Sequence, residues 1–140
     1  MKSNLKEIAL HNFENKKYNC CQAVVCAYYE ACGKDDAEIF KLAEGFGGGM
    51  GGLQETCGAL TGAFMALSVE KSAGNKENPT ETKMDTYQRV RDVAEEFVKC
   101  NGTMLCRELK KTVDGVQVVS CQRCVETAAE ILEKAICQDS

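Results

Sequence analysis

Six of the eight residues from Gly45 to Gly52, GFGGGMGG, are glycine. Only a residue without a Cβ visits positive φ freely and lets a ligand or another chain approach the backbone closely. The run therefore breaks the chain at a place where something must turn or come near, and it divides a sequence whose apolar residues otherwise recur at helical spacing. Before it, Ser3 is followed by Leu5, Ile8, Ala9 and Phe13. A second stripe, about Cys20 to Cys32, carries Ala23, Val24, Ala27, Tyr28 and Ala31 and ends at Gly33, and Asp35 or Asp36 caps a third with Ile39, Leu42, Ala43 and Phe46. After it, a helix over about Gln54 to Val69 has Gly58, Gly62 and Ala66 as a small-residue stripe for close helix packing. Asn78-Pro79-Thr80-Glu81 reads as an N-cap, a proline at N1 and an acid at N3, opening a long helix through Met84, Tyr87, Val90, Ala94, Phe97 and Val98 that stops at Asn101-Gly102. Thr103 caps a short helix through Leu105 and Leu109. Following the Asp114-Gly115 turn, VQVV is the one strand-like run, and a last helix from about Ser120 carries Cys124, Ala128, Leu132 and Ala135. The expectation is an all-α fold of about seven helices, with residues 1–140 as a single compact, cysteine-rich domain.

A chain of 140 residues buries about two-thirds of its unfolded surface and needs no metal or disulfide merely to fold. Its ten cysteines are thus a question about chemistry. The N-terminus MKSNLKEIALHNFENKK is charged and amphipathic with no apolar signal-like run, and no stretch approaches the ~18 apolar residues of a membrane span. We expect a cytoplasmic protein with reduced thiols and no membrane association, a setting in which high cysteine density points to metal binding or redox work. The net charge is −4 with acids and bases interspersed. Without a basic run, nucleic acid is not an expected partner.

Gly47-x-Gly49-x-x-Gly52 matches a dinucleotide-type pattern, but a helix rather than a strand leads into it and no Lys-Ser/Thr follows, so no nucleotide is expected. The thiols carry more. Cys57 falls in the first turn of its helix, Cys106 three residues after the Thr103 cap with Arg107 beside it, and Cys121-Gln122-Arg123-Cys124 opens the last helix behind Ser120. Cys20 and Cys21, after Tyr18-Asn19, make a fourth such place. Unsatisfied amides and the dipole at a helix start favour thiolate over thiol, so Cys57 is expected to be acidic and, among glycines, open. Cys26, Cys32, Cys100 and Cys137 are at no helix start and read as buried packing residues. A thioredoxin-like site lacks its βαβ frame and later proline. A c-type haem is excluded because Val125 stands where CxxCH needs histidine. A zinc finger or a Cys/His pair would depend on His11, on a charged helix.

Tyr18-Asn19-Cys20-x-Gln22-Ala23-Val24, the glycine run with Glu55-Thr56-Cys57-Gly58-Ala59-x-x-Gly62, Cys106-Arg107-Glu108-Leu109 and Cys121-x-x-x-Val125 together resemble the family of putative redox-active proteins with the signature C…GCAxxG…C…C. The resemblance runs over nearly the whole chain and implies a compact helical domain, a redox role and similarity to a domain of split-Soret cytochromes. Its four cysteines correspond to Cys20, Cys57, Cys106 and Cys121, with Cys21, Cys26 and Cys124 as additions. The expectation is that these four converge, either as ligands of an iron–sulfur cluster or other thiolate-bound metal, or as dithiol/disulfide couples, serving a redox partner that the sequence does not identify. The alternative of another class is a non-catalytic helical interaction module whose cysteines are mainly core packing.

Overall fold

The helical spacing of apolar residues is realised as seven α-helices in the computed structural model, which describes residues 4–137. They are α1 (Leu5–Glu14), α2 (Cys20–Ala31), α3 (Ala37–Ala43), α4 (Gly58–Lys71), α5 (Lys83–Asn101), α6 (Cys106–Leu109) and α7 (Cys121–Cys137). A short 3-10 turn, Glu44–Phe46, leads from α3 into the glycines. There Gly47–Met50 closes one further turn that is left-handed at Gly48 (φ 63°) and Gly49 (φ 68°). Thr112–Val113 and Val116–Gln117 pair as an exposed antiparallel hairpin, β1 and β2, between α6 and α7.

Helix α2 starts where a complete capping box starts it. The Asn19 side chain accepts from the Gln22 N–H (2.9 Å), and the Gln22 side chain accepts from the Asn19 N–H (3.0 Å). Every residue from Cys21 to Tyr28 is buried. A helix apolar on all sides belongs at the centre, and α2 packs against α1, α3 and α4. Its contact with α4 is backbone to backbone: a Cβ added at Gly62 would stand 2.5 Å from the Cys21 carbonyl oxygen and 3.2 Å from the Val24 Cβ. Helix α7 is amphipathic in the ordinary way, with Val125, Ala128, Ala129 and Leu132 inside, and it lies on α1 and α4. Its Glu133 carboxylate also accepts the N–H groups of Asn4 (2.6 Å) and Leu5 (2.9 Å), closing the start of α1 from a distant helix. Helix α5 covers α4 and α7 while burying only Val93 and Phe97.

Several boundaries differ from the sequence expectation. Ser3 lies outside the described residues. The long helix begins at Lys83, because residues 78–82 are spent on turns in which the Glu81 N–H reaches the Asn78 carbonyl (3.1 Å). The helix after the glycines begins at Gly58 rather than Gln54, since Gln54 is itself left-handed (φ 60°) and the chain stays extended to Cys57. Only two residues of VQVV are strand.

Candidate functional site: a cavity of thiols

The left-handed turn at Gly48 and Gly49 sends the backbone back on itself, so that the Gln54 N–H bonds the Gly48 carbonyl (3.1 Å) and the Glu55 N–H bonds that of Gly49 (3.0 Å). The returning strand then meets the chain before α6 in an isolated antiparallel bridge, Thr56 to Leu105. On either side, the Cys57 N–H donates to Met104 O (2.8 Å) and the Cys106 N–H to Glu55 O (2.6 Å). Arg107 reinforces the junction with an ion pair to Glu55. Two cysteines almost fifty residues apart in sequence are in this way set beside each other by backbone hydrogen bonds.

The glycines make room for the partners. A Cβ at Gly49 would lie 2.6 Å from the Cys106 Cβ, one at Gly58 would lie 2.5 Å from the Cys20 Sγ, and one at Gly47 would strike the Asn19 side chain. Cys20 is the first residue of α2, Cys57 the N-cap of α4, Cys106 the first residue of α6 and Cys121 the first of α7. All four line one cavity of about 180 Å³ together with Cys124, with Phe13, Leu109 and Val119 on its apolar wall and Lys110 as its cation. Among the described residues, no three or more His, Cys, Asp or Glu side chains are set around a point as a ready site for a metal ion. Five of the residues that line the cavity, beside Asn19 and Lys110, nonetheless offer soft thiol donors, the type that suits iron–sulfur clusters and other thiophilic metals.

Charge is distributed unequally over these sulfurs. The Cys57 thiol is lowered from 9.0 to about 7, first by the Cys124 thiol acting as its hydrogen-bond partner, then, against the opposing effect of burial, by the Leu60 and Ala59 amides and Lys110. Cys124 moves the other way, strongly upward, because it holds its proton for Cys57 and is buried. Burial also raises Cys20, against a hydrogen bond from the Gly48 amide, and negative charge on Cys57, Cys121 or Cys106 raises it further. Cys106 is raised by burial, with Lys110 opposing. One thiolate is stabilised, and its neighbours repel a second charge.

Cys57 is only 5% exposed. The expectation that acidity and openness coincide there is corrected: the glycines beside it admit Cys20 and Cys106, not solvent. Leu105, not Thr103, stands at the N-cap of α6, although the Thr103 hydroxyl accepts from the Leu105 N–H (3.2 Å). Ser120 does cap α7, accepting from the Arg123 N–H (3.1 Å). Of the cysteines read as packing, Cys26 is buried and Cys32 half-buried, but Cys100 and Cys137 are exposed, a second correction. Cys21 packs within the core, its Sγ 3.9 Å from the Met65 Sδ, and is not among the cavity residues. None of the ten cysteines is in a disulfide. Cys124, read from the sequence as an addition to the four, is in the cavity, and Lys110 is a cavity residue that the sequence reading missed. Both carry a positional signal, three residues after Cys121 and four after Cys106, which puts each on its helix or helix end one turn from a cysteine already singled out.

A mostly helical chain with cysteines from four helix starts around one cavity is the class of molecule that fold and site define. The chain belongs to the family described as Putative redox-active protein (C_GCAxxG_C_C), whose model matches residues 18–135. It is also 32% identical over 125 residues to an uncharacterized protein of Archaeoglobus fulgidus, a match covering 85% of this chain and 83% of that protein. No solved structure matches it. No helix among the described residues is long and apolar enough to cross a membrane.

Proposed function

We propose that this protein is a redox protein whose thiol cavity holds an iron–sulfur cluster, with Cys20, Cys57, Cys106 and Cys121 as its ligands, and that it works in a reducing compartment such as the cytoplasm. The observation that carries the reading is the cavity itself: four thiols supplied by four separate helix starts surround a space with apolar walls. A dithiol couple needs two sulfurs and no such space. A bound cluster would supply one-electron transfer. The residues of this chain would hold and tune it: the amides of Gly48, Ala59 and Leu60 point at the Cys20 and Cys57 sulfurs, and Lys110 offsets the negative charge of thiolate ligands. Phe13, Leu109 and Val119 would give the cluster an apolar wall. A second reading, dithiol chemistry, is favoured by one specific observation, the pairing of an acidified Cys57 with a protonated Cys124.

Serine variants test the ligand set. After anaerobic reconstitution with iron and sulfide, Cys20→Ser, Cys57→Ser, Cys106→Ser and Cys121→Ser should each retain clearly less of both than the wild type, while Cys100→Ser, on the surface, retains as much. Equal loading of all five variants would reject ligation by these four.

A further inference from the structure

The thiol site uses the β1–β2 hairpin only at its feet. Leu109 and Lys110 before it, and Val119 and Cys121 after it, line the cavity. Two bonds carry the ladder down to them, from the Val118 N–H to Lys111 O (2.7 Å) and from the Val119 N–H to Leu109 O (3.0 Å). Residues 111–118 themselves are all exposed. The pairing register sets Val113 opposite Val116 and Thr112 opposite Gln117, and Val118 follows Val116 by two positions. Alternation therefore puts three valines on one face of the ribbon and the two polar residues on the other. Each of the three is more than half exposed. A two-stranded hairpin with nothing against its apolar face is marginal in water, and apolar side chains gathered on one exposed face, rather than scattered singly, mark a surface that a partner covers.

Charge selects the partner. Residues 106–124, which hold the hairpin and three of the cavity thiols, carry four bases (Arg107, Lys110, Lys111 and Arg123) against two acids (Glu108 and Asp114), whereas the rest of the chain carries thirteen against nineteen. The hairpin thus rises from the basic stretch of an acidic chain. Arg107, Lys111 and Arg123 hold Glu55, Glu108 and Glu126 in exposed ion pairs, and Lys110 is in none among the described residues. Exposed pairs are weak, so these cations stay open to an incoming carboxylate. A second copy of the chain would set basic stretch against basic stretch across a symmetric valine contact, and juxtaposed like charges oppose association. A partner with an acidic rim around an apolar patch meets no such repulsion. We propose that the valine face of the β1–β2 hairpin docks an acidic electron-transfer protein beside the thiol cavity. The proposal deepens the redox reading above and rests on it for the class of partner, while the surface itself is built from the hairpin and its charges and needs no cluster.

The test uses two probes of opposite charge. The full chain, purified without oxygen, is titrated with an acidic plant-type ferredoxin and, separately, with a basic c-type cytochrome, and amide hydrogen exchange is followed by mass spectrometry. The ferredoxin should bind saturably and slow exchange in residues 111–118, and the cytochrome should not slow it there. Binding should weaken as salt is raised past about 0.1 M, where the screening length is ~10 Å. Val113→Ser with Val116→Ser changes only exposed side chains and should weaken the complex about tenfold, the effect of losing anchor residues at an interface. A ferredoxin that does not bind, that binds without slowing residues 111–118, or that binds the double variant equally well overturns the proposal. Slowing of the hairpin by the cytochrome overturns it too, as does slowing on concentrating the chain alone, which would make the face a contact between copies. Iron and sulfide are measured on the same samples: docking without them rejects the cluster and keeps the surface, and their presence without docking does the reverse.

Discussion

The sulfur of Cys57 is where helix geometry, hydrogen bonding and charge act on one atom. Its folded pKa of about 7, below the ordinary 9.0, means that between those values the folded, metal-free chain has released a proton that the unfolded chain still binds. That contribution to stability is present above pH ~9, where the unfolded thiol is also ionised, and is lost as pH falls through about 7. In the reduced, metal-free protein the ultraviolet absorbance of one thiolate should therefore appear near pH 7, well before that of the raised thiols, Cys20, Cys21, Cys26, Cys106 and Cys124. Lys110→Met should move that step upward, because it removes a cation that favours charge on both Cys57 and Cys106. A first step unmoved from the ordinary thiol range would show that the amides and Cys124 do not stabilise the thiolate. At this scale the largest cause of the lowered Cys57 thiol, its Cys124 partner, had no mark in the sequence, whereas the helix start whose Leu60 and Ala59 amides add to it is visible there after the glycines. The burial of Cys57 was not visible, because what fills the space beside Gly58 is Cys20, which comes from a helix 38 positions earlier.

Among elements, the junction that matters is the meeting of α2, α4 and the chain entering α6 around the glycine turn. Gly58 and Gly45 make a controlled pair. A Cβ at Gly58 would stand 2.5 Å from the Cys20 sulfur and 2.8 Å from the Phe46 carbonyl oxygen, whereas one at Gly45 meets nothing within 4 Å. Gly58→Ala should destabilise the fold by about 1–3 kcal/mol through overpacking and displace Cys20 from Cys57, while Gly45→Ala stays within about 0.5 kcal/mol of wild type. Chemical denaturation of the two variants checks this, and equal stability would mean that Cys20 does not approach α4 as described. The stripe of Gly58, Gly62 and Ala66 could be read in advance as a close helix contact, and the Tyr18-Asn19 start of α2 as a helix boundary. The starts of α4 and α5 could not: Gln54 adopts a left-handed conformation, and the turns at residues 78–82 displace a cap that looked well formed locally. At the start of α4 long-range hydrogen bonds with Met104, Cys106 and Arg107, which have no local signature, took the backbone groups that a helix would have used, and before α5 the turns from Asn75 to Asn78 and from Asn78 to Glu81 took them.

At the scale of the molecule, seven helices among the described residues bring distant cysteines to one place and leave Cys100 and Cys137 on the surface. The family resemblance named Cys20, Cys57, Cys106 and Cys121 as a set, and all four line the cavity. Nothing in that resemblance gave the volume between them, the apolar lining from Phe13 and Val119, or the inward turn of Cys124, all of which depend on how α1 and α7 close over α4. If the cavity is a place for a cluster, the protein carries iron and sulfide. The most direct measurement is iron and acid-labile sulfide per chain, with a visible spectrum, on protein purified without oxygen. The account predicts iron and sulfide in stoichiometric amounts and visible absorption that bleaches on reduction. A colourless protein without iron or sulfide, before and after anaerobic reconstitution, would contradict it.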